Sequence, residues 1–309
     1  MATEPILAAL DACALETRSI ASSNVLFVYW ELTKPEINFL IAITAAAGFW
    51  IGSPAAPPHF PWMRFIQTLL GTVLVASGAA TLNQLIESQY DAQMRRTARR
   101  PLVSGRIAPS HALWFGVLLS VFGVAYLAIS TNAFASLLAT LTLLSYLYLY
   151  TPLKRITPLC TLVGAIPGAT PPLIGWTAAC GHLDAAAWVL FAIVFLWQFP
   201  HFMSIAWMYR EDYARAGYLV LPASELKDHF VAWQCLLPAL GLFIAGIVPA
   251  LRGQSGIVYF AGALVLGVVF LYYSARFALQ RSAVCARQLL FASIIYLPVL
   301  FALLALDKK

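Results

Sequence analysis

The sequence carries little charge. Asp, Glu, Lys and Arg make up only 10% of its 309 residues, whereas 61% are hydrophobic. A soluble domain carries about 25% charged residues, so this composition excludes an ordinary soluble globular domain and indicates a polytopic membrane protein. The formal net charge of +6 does not indicate a nucleic-acid partner, because the basic residues lie in alternate loops between apolar runs.

The chain also lacks the cysteine spacing of a disulfide framework or a metal site. Its five cysteines are scattered, with no CxxC pair, and we interpret them as small apolar packing residues. Because no stretch rich in Pro, Gly or Ser divides the chain, we predict one nine-helix membrane domain over residues 34–309. Residues 1–33 are interpreted as a cytoplasmic tail, since Glu4, Asp11 and Glu16 are atypical of a transit peptide.

Apolar runs long enough to cross a lipid bilayer, roughly 17 to 25 residues each, recur along the whole chain. Backbone groups in hydrocarbon must be satisfied within the segment, so these runs predict helices. Fifteen of the 19 Lys and Arg residues fall in loops on one side, which predicts a cytoplasmic N-terminus and a C-terminus outside. The predicted fold is an all-α polytopic membrane bundle of nine transmembrane helices, most simply in a bacterial inner membrane. The predicted spans lie near 37–54, 65–86, 111–130, 133–151, 160–178, 186–206, 230–250, 256–275 and 288–306.

The end of the second predicted helix carries three polar side chains on one face. Asn83, Glu87 and Asp91 are spaced i, i+4 and i+8, which aligns them on a helix. Carboxylate and amide oxygens suit Mg²⁺, which often binds phosphate oxygens as well. Arg96 and Arg100 follow, and we expect them on the same helix as far as Pro101. The pattern indicates a bound diphosphate between acids and arginines; the alternative is a solvated helix end with surface ion pairs.

Ionisable residues also lie at two later membrane boundaries. Lys154 and Arg155 form a basic pair one predicted turn after Tyr150, and the Gly- and Pro-rich run to Trp176 predicts an irregular fifth helix. Irregular backbone at membrane depth either lines a cavity or packs tightly on protein. At the end of the sixth helix, Glu211 and Asp212 are the only nearby acids, beside Arg210 and Arg215. Inside that helix, His201 is either a packing residue, with Gln198 as its hydrogen-bond partner, or a ligand.

These stretches together resemble the UbiA superfamily of intramembrane prenyltransferases. The family's Asn/Asp-rich motif, its arginine motif RT-x-x-RPL and its Y-x-x-x-K element are all present. The resemblance implies a nine-helix bundle with a cavity open to the bilayer, and a Mg²⁺-dependent enzyme. The matching residues are Asn83, Glu87 and Asp91 for the first motif, Arg96, Thr97, Arg100, Pro101 and Leu102 for the second, and Tyr150 and Lys154 for the third.

Four longer stretches are similar to the haem-modifying branch of this superfamily: MRRTARRPLVSGRI, YTPLKRITPLCTLVGAIPGATPPLIGW, WQFPHF and EDYARAGYLVLP. This resemblance implies transfer of a farnesyl group from farnesyl diphosphate to a vinyl group of haem B, with addition of water. It also implies partners in haem A synthesis or terminal-oxidase assembly. The implied roles are metal binding by Asn83, Glu87 and Asp91, diphosphate binding by Arg96, Arg100, Lys154, Arg155 and Tyr150, and haem binding by His201, Arg95 and Arg99.

One motif departs from the general superfamily pattern. Many members carry D-x-x-x-D after the sixth helix, but Tyr209 and Tyr213 occupy its acidic positions here. Glu211 and Asp212 remain as candidate ligands of a second Mg²⁺. Two alternatives stay open: another aromatic polyprenyltransferase of the same superfamily, or a transporter, a class that also concentrates charge within broken helices.

Overall fold

A computed structural model describes residues 24–54, 58–221 and 227–309. Most of the predicted tail, including Glu4, Asp11 and Glu16, therefore lies outside the described residues. The described parts of the chain form helices and no strand, which confirms the all-α prediction. A short helix, α1 (Val25–Leu32), ends the predicted tail, and its Val28 and Leu32 pack against Ile107.

Eight helices within the described residues are long and apolar enough to cross a membrane. The segment 160–178, predicted as one span, instead forms two ten-residue helices that meet at Thr170. Pro171 and Pro172 have no backbone N–H, so the helical ladder cannot continue through them. The nine-span count and the orientation stay predictions. The eight helices are α2 (Pro35–Gly52), α3 (Trp62–Asp91), α4 (Pro109–Ser130), α5 (Ala133–Leu153), α8 (Ala185–Met208), α10 (Lys227–Leu251), α11 (Ile257–Gln280) and α12 (Ala283–Leu306), and the two short ones are α6 (Cys160–Ala169) and α7 (Pro171–Cys180).

The two larger apolar clusters of the described core share α7. One cluster lies among α2, α3, α4, α5 and α7, and the other among α7, α8, α10, α11 and α12. The first and last long helices also meet, because the Trp50 indole N–H donates to the Ala305 carbonyl at 3.1 Å. Lys308 Nζ donates to the carbonyls of Trp50 and Ser53, at 2.7 Å each. The two halves therefore join both at α7 and at this contact.

The glycines of the irregular segment let helices approach closely. A Cβ on Gly175 would lie 2.8 Å from the Phe49 backbone nitrogen, and a Cβ on Gly48 would lie 2.7 Å from the Pro172 carbonyl carbon. Small residues at such crossings replace side-chain bulk with backbone contact, which is how membrane helices associate. The irregular segment was expected either to line a cavity or to pack tightly on protein. Tight packing accounts for the crossing of α2 and α7.

The helix carrying the polar stripe is shorter than predicted. α3 ends at Asp91, and residues 92–105 form successive turns, so the expectation that Arg96 and Arg100 continue the helix to Pro101 is wrong. The buried Thr97 hydroxyl donates to the Asp91 carbonyl at 2.8 Å and satisfies a carbonyl that the helix would otherwise use. The chain then folds back, which brings Arg100 to the Asp91 side chain.

Candidate active site

The predicted stripe on α3 is buried. Asn83, Glu87 and Asp91 are 1%, 5% and 1% exposed, so the alternative of a solvated helix end does not describe them. Burying a carboxylate is costly unless a cation and hydrogen bonds compensate. The surroundings of Glu87 and Asp91 must therefore supply positive charge.

Three cations from three separate segments meet the stripe, one for each residue. Lys34 Nζ donates to Asn83 Oδ1 at 2.9 Å, and Lys154 Nζ donates to Glu87 Oε1 at 2.7 Å. Arg100 Nη1 donates to Asp91 Oδ2 at 2.5 Å. These contacts join the start of α2, the end of α5 and the loop after α3 at one point.

The stripe fits a hard divalent cation. Asp91 Oδ1 is buried without a hydrogen-bond partner, which leaves a strong acceptor facing the site. The Asn83 Nδ2 group donates to Thr151 Oγ1 at 3.2 Å, which orients the amide so that its oxygen faces Lys34. Within the described residues no group of three or more His, Cys, Asp and Glu side chains could hold a metal. Two carboxylates and an amide are the smaller donor set that Mg²⁺ uses when phosphate oxygens complete its shell.

A local irregularity of α5 positions Lys154. The residues Ser145–Tyr150 form a π-helical turn, and Pro152 offers no N–H to restore the α-helical ladder. Lys154 Nζ then lies 4.5 Å from the centre of the Tyr150 ring. Burial tends to lower the pKa of Lys154, but Tyr150 and Glu87 outweigh it and raise that pKa well above its ordinary value. Lys154 is therefore a fixed positive charge.

Lys34 is a site residue that sequence reasoning missed. In the sequence it is only one of the fifteen basic residues on the predicted cytoplasmic side. Its backbone is left-handed, with φ of 51°, directly before the proline that starts α2. Burial and the charges of Arg100 and Lys154 lower the pKa of Lys34 to about 7, against the opposing charges of Glu87 and Asp91. The sequence signal for Lys34 was a lysine directly before a proline at a membrane boundary. Which way the Lys34 side chain points depends on tertiary structure.

The loop after α8 braces the loop after α3. It contains the short helix α9 (Arg210–Arg215), whose buried Asp212 accepts a hydrogen bond from the Arg96 backbone N–H at 3.2 Å. Asp212 also pairs with Arg215. The Arg96 guanidinium lies 5.0 Å from the Tyr209 ring centre and 5.9 Å from that of Tyr213. Asp212 is a predicted metal ligand, but both of its carboxylate oxygens are engaged by protein groups.

Arg155, the remaining basic residue predicted to bind diphosphate, is held by the side chain of Tyr90. Arg155 is exposed, and its guanidinium carbon lies 4.2 Å from the Tyr90 ring centre. Its Nη1 also donates to the Tyr90 hydroxyl at 2.6 Å. The Leu219 N–H donates to the Lys154 carbonyl at 2.7 Å, so the loop after α8 also anchors the backbone beside Arg155.

A basic cleft of about 460 Å³ opens between the two loops. Exposed Arg95 and Arg96 line one side, and Arg210 with exposed Glu211 lines the other. None of these arginines has an acidic partner within 4.0 Å among the described residues, in contrast to Arg100. The Arg99 side chain is exposed outside this cleft lining, and its backbone carbonyl accepts from Arg106 at 2.7 Å.

His201 lies within α8, away from the stripe's contacts. Its Nδ1 is 2.7 Å from Ser293 Oγ, and its ring stacks on Trp197 with centres 4.5 Å apart. Gln198 instead donates to the backbone carbonyls of Ala165 and Val194. The predicted His201–Gln198 partnership is therefore wrong: the two residues are i and i+3 on one helix, but Gln198 uses its amide on backbone carbonyls and His201 pairs with Ser293 of α12.

The membrane-length helices and the buried acid–amide stripe together define the class of protein. The chain belongs to the UbiA prenyltransferase family, whose profile matches residues 41–295. It is an enzyme of the prenyltransferase class.

The chain is similar over nearly its whole length to proteins named protoheme IX farnesyltransferase. The one from Solibacter usitatus is 48% identical over 286 residues, which is 91% of this chain and 98% of that protein. The one from Koribacter versatilis is 44% identical over 93% of this chain and 94% of that protein.

Solved structures share the fold at low sequence identity. A digeranylgeranylglyceryl phosphate synthase structure has a TM-score of 0.72 and 18% identity, covering 91% of this chain and 98% of that one. A UbiA homologue from Archaeoglobus fulgidus, bound to GPP and Mg²⁺, has a TM-score of 0.61 and 15% identity, covering 90% and 99%. These likenesses establish the helical architecture.

Proposed function

We propose that the protein transfers a farnesyl group from farnesyl diphosphate to a vinyl group of haem B and that water adds to the product, giving haem O. The observation that carries this proposal is the buried stripe of two carboxylates and an amide faced by three cations. That arrangement suits a metal-bound diphosphate. The named relatives, similar along almost the whole chain, support haem as the acceptor.

Asn83, Glu87 and Asp91 would hold the Mg²⁺, and the unpartnered Asp91 oxygen supports this assignment. When bound, the ion supplies Lewis-acid stabilisation of the negative charge that develops on the departing diphosphate. Glu211 and Asp212 stay candidates for a second ion. A metal at Asp212 would have to replace the contacts with Arg215 and the Arg96 N–H, so we place the principal site on α3.

The protein's own cations stabilise the leaving group. Lys154 stays charged, and Arg100 already points at the stripe. Arg155 and Arg96, held by aromatic rings, extend the positive surface toward the second phosphate. Preorganised donors of this kind stabilise charge without reorganising during the reaction. Tyr150 contributes by fixing the Lys154 ammonium over its ring.

The proposed farnesyl transfer balances in atoms and electrons. The allylic carbon–oxygen bond breaks, the electron pair leaves with diphosphate, and the vinyl π electrons form the new carbon–carbon bond. Water adds to the resulting cation beside the porphyrin and loses a proton. The role of the bundle is to keep water away until that last step, because an allylic cation in a wet site is hydrolysed.

The basic cleft between the two loops suits the propionates of haem. Arg95 and Arg210 offer guanidinium groups without acidic partners, and guanidinium forks bind carboxylates well. Haem carries its vinyl groups on the edge opposite its propionates, so a haem held here would keep its vinyl groups away from these arginines. Arg99 and His201 stay candidates for haem contact at a greater distance.

Farnesyl diphosphate, haem B and the lipid bilayer are the proposed partners, together with haem A synthase or a terminal-oxidase assembly, in a bacterial inner membrane.

The experiment is a conversion assay on membranes that contain the protein. Haem B, farnesyl diphosphate and Mg²⁺ are added, and extracted haems are weighed by mass spectrometry, with the Asp91→Asn variant and a chelator as controls. We expect a new haem heavier by one farnesyl group and one hydroxyl group, absent from both controls. Unchanged haem B with folded protein would reject the acceptor, and quinone precursors would be tested next. Solute flux across vesicles would instead support a transporter.

A further inference from the structure

Lys34 and Mg²⁺ compete for one atom. Glu87 and Asp91 each have a second carboxylate oxygen, but Asn83 has a single acceptor oxygen, and Lys34 donates to it at 2.9 Å. The amide cannot simply turn over, because its Nδ2 group is held by Thr151. The amide oxygen has two lone pairs, but Mg²⁺ bound to it at about 2.0–2.1 Å would stand close to the Lys34 ammonium and repel it, so metal binding favours release of Lys34.

The charge balance opposes a metal that arrives alone. Two carboxylates, Glu87 and Asp91, already face three cations, Lys34, Lys154 and Arg100. Mg²⁺ by itself adds like charge to a buried site where screening is weak. A prenyl diphosphate carries up to three negative charges, so the metal–diphosphate pair brings net negative charge to a site with an excess of cations.

The backbone around Lys34 is fixed, which leaves its side chain as the moving part. Gln84 Nε2 donates to the Leu32 carbonyl at 2.9 Å, and Asn38 Nδ2 donates to the Thr33 carbonyl at 2.8 Å. The first bond ties the turn between α1 and α2 to α3, and the second ties it to α2. The displaced ammonium therefore stays within side-chain reach of whatever replaces it on Asn83.

We propose that Lys34 exchanges partners on substrate binding, leaving Asn83 when Mg²⁺ arrives and donating to a diphosphate oxygen, so that metal and diphosphate bind strongly only together. Lys34 becomes a diphosphate-binding residue and a barrier to metal binding in the absence of substrate. This inference rests on the proposed function of the stripe.

Purified protein tests the exchange by calorimetry with two probes. The first is Mg²⁺ alone, and the second is farnesyl thiodiphosphate at saturating Mg²⁺. Because Lys34→Met removes the competing cation, it should bind Mg²⁺ alone roughly tenfold more tightly than wild type, yet bind the analogue roughly tenfold more weakly. Lys34→Arg should stay near wild type in both titrations. Lys308→Met, which removes another hydrogen-bonded lysine far from the stripe, is the matched control and should change neither.

The opposite signs distinguish exchange from a structural role. A Lys34→Met protein that binds both probes more weakly, or both unchanged, would overturn the inference. Lys34→Gln gives the same test if the Met variant does not fold. In wild-type protein, Mg²⁺ alone should scarcely raise the melting temperature while Mg²⁺ plus analogue raises it clearly; equal stabilisation by Mg²⁺ alone would also overturn it. Failure of wild-type protein to bind the analogue with Mg²⁺ would reject the proposed function itself.

Discussion

The loop after α3 and the loop after α8 contain similar residues but use them differently. On the α3 side, Asn83 and Glu87 are met by cations from distant segments, and Asp91 is met by Arg100 of the loop itself. On the α8 side, the buried acid, Asp212, is paired with its own helix neighbour Arg215 and with the backbone of the first loop. Charges assembled from distant segments can be redirected toward a ligand, whereas a locally paired acid holds structure. The comparison assigns chemistry to the first loop and bracing to the second.

The largest expected effect on activity is at Asp91, and it is compared with the same aspartate-to-asparagine change at Asp212. Asp91→Asn should lower kcat/KM for haem farnesylation by about 10³-fold, because it weakens the metal site that stabilises the leaving group. Asp212→Asn should keep most activity and lower the melting temperature instead, since it loosens the contact between the loops. Activity lost equally in both variants would erase the distinction and favour a second catalytic metal at Asp212.

A smaller effect is expected at Lys154, the most firmly charged of the three cations that meet the stripe. Lys154→Met should lower kcat by about 10²-fold, the usual cost of one preorganised charge donor, and it leaves the Glu87 carboxylate buried without its partner. Lys154→Arg, which keeps the charge but changes its shape, should recover part of the rate. A melting temperature close to that of wild type separates the catalytic effect from misfolding, and an unchanged kcat would remove Lys154 from the diphosphate site.

The two ring-held arginines should give a moderate effect on binding. Arg155→Lys and Arg96→Lys keep the charge but lose the flat guanidinium over Tyr90 or Tyr209, so the KM for farnesyl diphosphate should rise about tenfold. Tyr90→Phe provides the control for Arg155, because it keeps the ring and removes only the hydroxyl acceptor. A KM rise in Tyr90→Phe as large as in Arg155→Lys would mean that the hydrogen bond, and not the ring, positions the arginine.

The smallest effect is expected at Glu211. Its side chain is exposed at the cleft, and an exposed charge contributes little, so Glu211→Gln should change kcat/KM by less than about threefold. The measurement is kcat/KM together with the number of Mg²⁺ ions bound in the presence of farnesyl thiodiphosphate. A fall from two bound ions to one in this variant would place a second metal on the loop after α8.

The sequence alone determined the membrane class, the all-α fold and the polar stripe. These follow from local rules: apolar length, the absence of charge within the spans, and the helical spacing of Asn83, Glu87 and Asp91. The same local rules extended α3 too far, to Pro101, because they do not anticipate that Thr97 satisfies the Asp91 carbonyl and turns the chain back.

Tertiary structure decided which cation meets which acceptor. Lys34 is 49 residues from Asn83 along the chain, and Lys154 is 67 from Glu87, so no spacing rule connects them. It also decided that Tyr209 and Tyr213 hold Arg96, and that the segment 160–178 packs closely on α2 through its glycines. The physical reason is that burial forces each charge to find a partner, and which partner lies within reach is set by the packing of helices that are distant in sequence.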